Sequence, residues 1–181
     1  MKKLALIGLA AAAVLLASAC TNDEGENESP VTLTVNLPEQ PLVISVSAPA
    51  PVQIPEINLE SRLKNPTATD PQGFATVQVN IYRVRWSRRD GGTRVPATEE
   101  FAAAVVVQAG GNATLNGFPI MSASALQRSP LDQLLPFNGG VDRETGLNEM
   151  HLFYELVFFG TTVSGHRVES EAAIGDLFFT P

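Results

Sequence analysis

The sequence predicts an all-β fold: an antiparallel two-sheet sandwich with one short helix. Three observations carry that expectation. From Val31 onward, apolar residues recur with a period of two, the spacing of half-buried strands. Turn-forming clusters of Gly, Pro, Asn, Asp and Ser interrupt them every 8–15 residues. Strands do not alternate with long amphipathic helices, which excludes βαβ architectures.

The elements follow in order. VTLTVN puts Val31, Leu33 and Val35 on one face and Thr32, Thr34 and Asn36 on the other. PLVISVS repeats the alternation, with Leu42, Ile44 and Val46 against Val43, Ser45 and Ser47. VQIPEINLE is extended, but Pro55 lacks the N–H that a ladder needs and points to an edge or a strand end. Lys64–Gly73 is turn material. FATVQVNIYRVRWSRR is the longest strand signal, with Val77, Val79 and Ile81 on its apolar face, followed by Tyr82, Val84 and Trp86. The parity flip between Ile81 and Tyr82 predicts a bulge or a crossing between sheets.

Asp90-Gly91-Gly92 predicts a hairpin turn, and FAAAVVVQ, Ala109-Gly110-Gly111 and NATLNGF predict a second hairpin. The helix is expected at Ser129-Pro130, with Ser129 as N-cap and Pro130 at the first helical position, and Pro136 keeps it short. EMHLFYELVFF and HRVESEAAIGDLFF close the chain around a Ser164-Gly165 turn. Seven to nine strands, with a single Trp on the longest, resemble immunoglobulin-like sandwiches at the level of class, although the cysteine pair of antibody domains is absent. A closed barrel is the alternative.

With 181 residues, the chain has room for one domain and a targeting segment. Twelve Lys+Arg against 19 Asp+Glu give a net charge of −7, which argues against nucleic acid as a partner. The single cysteine excludes an internal disulfide and multi-cysteine metal sites.

That cysteine stands at an informative place. Lys2 and Lys3 precede an unbroken run of apolar residues and Gly from Leu4 to Ala17, too short to span a bilayer and of the length of a signal-peptide core. The run ends in Leu16-Ala17-Ser18-Ala19-Cys20. This resembles the lipobox of bacterial lipoproteins, in which small residues precede a cysteine that becomes the first mature residue. The resemblance covers the first 20 residues. It implies a signal peptide over 1–19 and acyl chains on Cys20, with the membrane as a partner through those chains. Several chains anchor far more stably than one, at about 0.8 kcal/mol per buried methylene. Loss of Lys2 and Lys3 leaves a charge of −9, so anionic lipid offers the mature surface no attraction.

Residues 20–30 are expected to form the lipidated cysteine and an acidic, disordered tether, and residues 31–181 the β domain. Thr21 after the cysteine, by the sorting rule of enterobacterial lipoproteins, implies the outer membrane, with its periplasmic face preferred to the cell surface.

Nucleotide, nucleophile-elbow and zincin motifs are absent, so no cofactor and no catalytic role is expected. Asp142, Glu144, Asn148 and Glu149 offer hard oxygen donors of the kind calcium takes, without EF-hand spacing. They are weighed against a solvated turn in which Arg143 pairs with a neighbour. His151 and His166 are expected far apart. Arg83, Arg85 and Arg89 share the face opposite Tyr82, Val84 and Trp86, with Glu99 and Glu100 as returning partners. Were those arginines presented to a ligand, they would suit an envelope protein's acidic loop or an anionic glycolipid phosphate. The function expected is that of a lipid-anchored cell-envelope lipoprotein acting as a non-catalytic binding or structural module. The alternatives are a carbohydrate- or calcium-dependent surface adhesion module and, third, an envelope enzyme.

Overall fold

A computed structural model describes residues 28–38, 41–48 and 50–181. Cys20, the signal segment and most of the tether lie outside the described residues. The fold is mostly β, with two sheets and one short helix. The strands are β1 (Val31–Asn36), β2 (Leu42–Ser45), β3 (Val52–Leu63), β4 (Val77–Arg88), β5 (Glu99–Val107), β6 (Asn112–Met121), β7 (Met150–Thr162), β8 (Arg167–Glu169) and β9 (Ala173–Thr180). Sheet A has the order β1-β3-β6, and sheet B the order β2-β9-β7-β4-β5, with β8 beside β7. Sheet B curls into a half-barrel.

The curl has local causes. β4 buries Val77 and Val79, leaves Asn80 and Ile81 both exposed, then buries Tyr82, Val84 and Trp86. The expected parity flip is therefore present, but one residue earlier, and Ile81 lies outside rather than in the core. Asn80 is the extra residue against β7, where pairing steps from Val79–Gly160 to Ile81–Phe159. A bulge of this kind bends its strand and increases its twist. Gly160 fits that bend because a Cβ there would run into the Gln78 carbonyl oxygen. In sheet A, β3 leaves Pro55 and Glu56 both exposed between buried Ile54 and Ile57, with its register against β6 unbroken there. β3 is central in sheet A rather than an edge, but β1 pairs only with Asn58–Leu63, so Pro55 has a neighbour on one side alone.

The two sheets face each other over one apolar core. Val31, Leu33, Ile54, Ile57 and Leu59 from sheet A meet Val77, Val84, Leu152, Leu156 and Phe179 from sheet B. Tyr82, Phe101, Phe118 and Phe158 form its aromatic centre, with the Tyr82 ring 4.2 Å from Phe118, 5.0 Å from Phe101 and 5.4 Å from Phe158. Trp86 packs edge-on against Tyr154 at 6.2 Å and Phe179 at 6.4 Å.

Several connections differ from expectation. β2 runs parallel to β9, because the chain enters from sheet A instead of turning back in a hairpin. β5 and β6 are consecutive, yet they belong to different sheets, so the Gly110-Gly111 turn is a crossing between layers. Asp90-Gly91-Gly92 opens a loop over 89–98 rather than a tight hairpin. Thr162 N–H donates to the His166 carbonyl, making a three-residue turn over Val163–Gly165. The α-helix, α1, is Ala123–Leu126, capped by Ser122 Oγ, which accepts from the Ala125 N–H at 3.3 Å. The Ser129-Pro130 signal instead precedes a single 3-10 turn, Leu131–Leu134, whose leucines reach the core.

Candidate functional site

The outer face of sheet B carries the arginines singled out in the sequence. Period two on β4 turns Arg83 and Arg85 outward once the Asn80 bulge has reset the parity, and Arg89, just past the strand, is exposed as well. Neighbouring strands supply a carboxylate to each. Arg83 lies opposite Glu100 in register and donates to it from Nε at 2.8 Å. Arg85 stands 3.6 Å from Glu155 of β7, and Arg89 3.6 Å from Asp176 of β9. Glu99 goes elsewhere: it accepts from the Ser122 N–H and Oγ at the start of α1.

Aromatic rings lie between these charges. The Arg83 guanidinium sits 4.8 Å from the centre of the Phe159 ring, and that of Arg89 5.0 Å from Phe153. Such exposed cation–π contacts contribute roughly 0.5–1 kcal/mol each, and exposed ion pairs at most about as much. His151 stacks on Phe178 at 4.0 Å and places Nε2 2.8 Å from Asp176 Oδ1. His166 lies on the turn after β7, so the two histidines do not converge. The result is an electrically balanced face of guanidinium, carboxylate and ring, flanked by exposed Val43 and Ile174.

The strongest electrostatic cluster lies at the end of the same strand. Arg88 has the inward parity of Tyr82, Val84 and Trp86, and its side chain is 1 % exposed. Its guanidinium donates to both Asp90 oxygens at 2.7 Å and to Asp142 Oδ2 at 2.7 Å. Asp90 also accepts the Gly92 and His151 N–H groups. Asp142, fully buried, accepts the Glu144 and Thr145 N–H groups and the Thr145 hydroxyl. Glu144 closes the ring by accepting the Thr93 and Arg94 N–H groups and the Thr93 hydroxyl. A Cβ at Gly92 would collide with the Arg88 guanidinium, so a larger residue there would push that group from its present position.

Burial opposes ionisation of Asp90, but Arg88 and the two N–H donors overcome it and bring its carboxyl down to about 2. Asp142 is lowered as well: burial again opposes, and Arg88, Thr145 and the Glu144 amide prevail. The Arg94 and Thr93 donors lower Glu144. Asp90 and Asp142 together hold the Arg88 charge more firmly than burial disfavours it.

In the loop that offered calcium donors, Asp142 is buried and pairs with Arg88 rather than Arg143, while most of its other residues are exposed. Asp142 and Glu144 are engaged by Arg88 and the 93–94 backbone, while Asn148 and Glu149 lie exposed outside this ring. Sequence reasoning missed Arg88. The available signal was a charged residue on an apolar strand face, with an acid two positions on.

Among the described residues, no helix is long and apolar enough to cross a membrane. Compared with known proteins, the chain matches no family model, no curated protein and no solved structure.

Proposed function

We propose that this chain is a lipid-anchored lipoprotein of the bacterial outer membrane, on its periplasmic face, and that it acts as a non-catalytic module binding an envelope partner through the outer face of sheet B. The anchor rests on Cys20 behind Ala17-Ser18-Ala19, and the tether on the acidic stretch that follows. The binding role rests on one observation: Arg83 and Arg85 on β4 and Arg89 just past its end stand in a row on the outer face, each beside a carboxylate and two of them over phenylalanine rings. Rigid display of arginine and aromatic groups lowers the ordering cost of association. An acidic loop or a glycolipid phosphate would compete with Glu100, Glu155 and Asp176 for the guanidinium groups.

The domain's geometry suits a tether. Lys64 N–H donates to the Pro30 carbonyl at 2.9 Å, so the chain enters beside the end of β3, while the loops over 89–98 and 122–149 crowd the opposite end. We read the two sheets as a distorted immunoglobulin-like sandwich. Facing layers and a buried Trp86 support that reading, and the curl of sheet B and the parallel β2 are departures from it.

Two measurements test the proposal. Mass spectrometry of the mature N-terminus should find Cys20 acylated, and Cys20→Ser should leave the chain unprocessed or released. An unmodified peptide beginning at Cys20 would refute the anchor. Crosslinking in the native envelope, with Arg83, Arg85 and Arg89 reversed together to Glu, should lose the partner that the unaltered chain captures. Undiminished capture would refute the face.

A further inference from the structure

We propose that the end of the domain at which the chain enters rests on the lipid bilayer, with Phe74 and Val163 dipping into the lipid–water interface. The inference rests on the acylation of Cys20 proposed above and is independent of the arginine face.

Three observations carry it. First, three turns gather at the point of entry. The Pro30 carbonyl accepts the Lys64 N–H, and Lys64 Nζ stands 3.2 Å from Glu28. The chain that comes from Cys20 therefore meets the domain where β3 gives way to the loop over 64–76. Ser61 N–H donates to the Gly111 carbonyl, which brings in the turn over 108–111. Ser170 runs parallel beside Leu33, so β8 starts level with β1, and the turn before it, 163–166, projects past Val31.

Second, apolar side chains stand out there, on a surface nearly without charge. Phe74 is 55 % exposed and Val163 50 %. They lie side by side: Ser164 N–H donates to the Phe74 carbonyl at 3.0 Å, and Val163 N–H to the Thr76 carbonyl at 2.9 Å. The Asp70 carboxylate accepts the Phe74 and Ala75 N–H groups at 2.9 and 2.8 Å, which fixes the loop with Ala75 buried and Phe74 exposed. Of Asp, Glu, Lys and Arg, the three turns hold only Lys64 and Asp70, whereas the loops over 89–98 and 122–149 hold nine. Apolar side chains with little charge around them suit an interface in which the side chains leave water while the backbone keeps it.

Third, the reach of the chain selects this end. The eight peptide units from Cys20 to Glu28 span at most about 28 Å. β7 has 13 residues, so the two ends of sheet B lie roughly 40 Å apart. Phe137, at 79 % exposure, belongs to the far end, and the domain cannot stand on that end while Cys20 remains in the bilayer. Standing on its entry end, the domain holds the outer face of sheet B sideways, clear of the lipid.

The test uses the mature lipidated chain in vesicles of phosphatidylethanolamine and phosphatidylglycerol whose acyl chains carry bromine, a contact quencher of tryptophan. Three variants are read against the unaltered chain, whose Trp86 is buried. Phe74→Trp should lose most of its added emission. Ile174→Trp, exposed on the outer face of sheet B, and Phe137→Trp should lose none. Adding Val163→Asp to Phe74→Trp sets a charge in the interface and should restore the emission. Quenching at Ile174→Trp would lay the domain on its side, and quenching at Phe137→Trp would invert it. Emission of Phe74→Trp untouched by bromine would leave the patch to a protein. Each of these results overturns the proposal, as does quenching of Phe74→Trp indifferent to Val163→Asp. Mass spectrometry of the N-terminal peptide from the same sample separates the two readings. Absent acyl chains refute the anchor and this orientation with it, whereas acyl chains with unquenched Phe74→Trp refute the orientation alone.

Discussion

The Tyr82 hydroxyl donates to the Pro119 carbonyl at 2.6 Å, and this bond ties β4 of sheet B to β6 of sheet A through the aromatic centre of the core. Tyr82 is 1 % exposed, and burial, with the nearby Glu99 charge, pushes its phenol far above the ordinary value. Removing the hydroxyl keeps the ring and its stacking but leaves the carbonyl without its donor. Tyr82→Phe should cost about 1–2 kcal/mol in urea unfolding. The folded state holds this proton more tightly than the unfolded chain does. Its contribution is thus complete below about pH 10, the unfolded value, and declines as pH rises further. The phenol of Tyr154, raised to about 12 by burial and Asp176, acts in the same direction. Alkaline denaturation should begin near pH 10, and Tyr82→Phe should flatten it. An unchanged alkaline profile would mean that the phenol is not held as described.

Arg88 should be the least replaceable charge in the chain. Arg88→Met fills similar space but leaves Asp90 and Asp142 buried without their cation, a loss of about 3–5 kcal/mol. Arg88→Lys cannot fork between two carboxylates and should recover only part of it. The carboxyl values of Asp90, Asp142 and Glu144 are lowered by folding. Their stabilisation is therefore present above the unfolded carboxylate range and lost as pH falls, for Asp90 between about 4 and about 2. Acid titration followed by near-ultraviolet circular dichroism should show this transition, and Arg88→Met should already be disordered above it. A variant as stable as the parent would show that the cluster is ornamental.

Trp86 and Arg85 are adjacent and point to opposite faces of β4. Trp86→Ala should cost about 3–5 kcal/mol, since its ring packs between Tyr154 and Phe179 in the core. Arg85→Ala should stay within about 0.5–1 kcal/mol, as its contact with Glu155 is exposed. Equal losses in thermal or urea unfolding would contradict the register of the strand beyond Asn80.

The period-two pattern made the strands and their inward faces legible, because half-buried strands select side chains locally. Tyr82, Val84 and Trp86 on one face and Arg83, Arg85 and Arg89 on the other could be read without coordinates, as could the pairing of Arg83 with Glu100. The bulge was displaced by one residue because Ile81 is apolar, and an exposed isoleucine looks like a core residue in a pattern. α1 escaped notice because Ser122 caps a single turn of small residues, and Ser129-Pro130 is the louder start signal. The sheet assignment of β5 and β6, and the joining of Arg88 to Asp142, depend on partners distant in sequence. Local periodicity carries no record of those.

The cluster around Arg88 also imposes an order of events on folding. Asp90 is at hand as soon as β4 emerges, but Asp142 lies 54 residues later than Arg88, and the N–H that completes Asp90 belongs to His151. Until that stretch is in place, the guanidinium must remain hydrated, and the end of β4 cannot settle into the interior. Sheet A and the β4–β5 pair can therefore form before the loops at their far end are locked, whereas β2 waits for β9. Closure of that end follows the docking of β7, and Asp142 and the His151 N–H act as the latch.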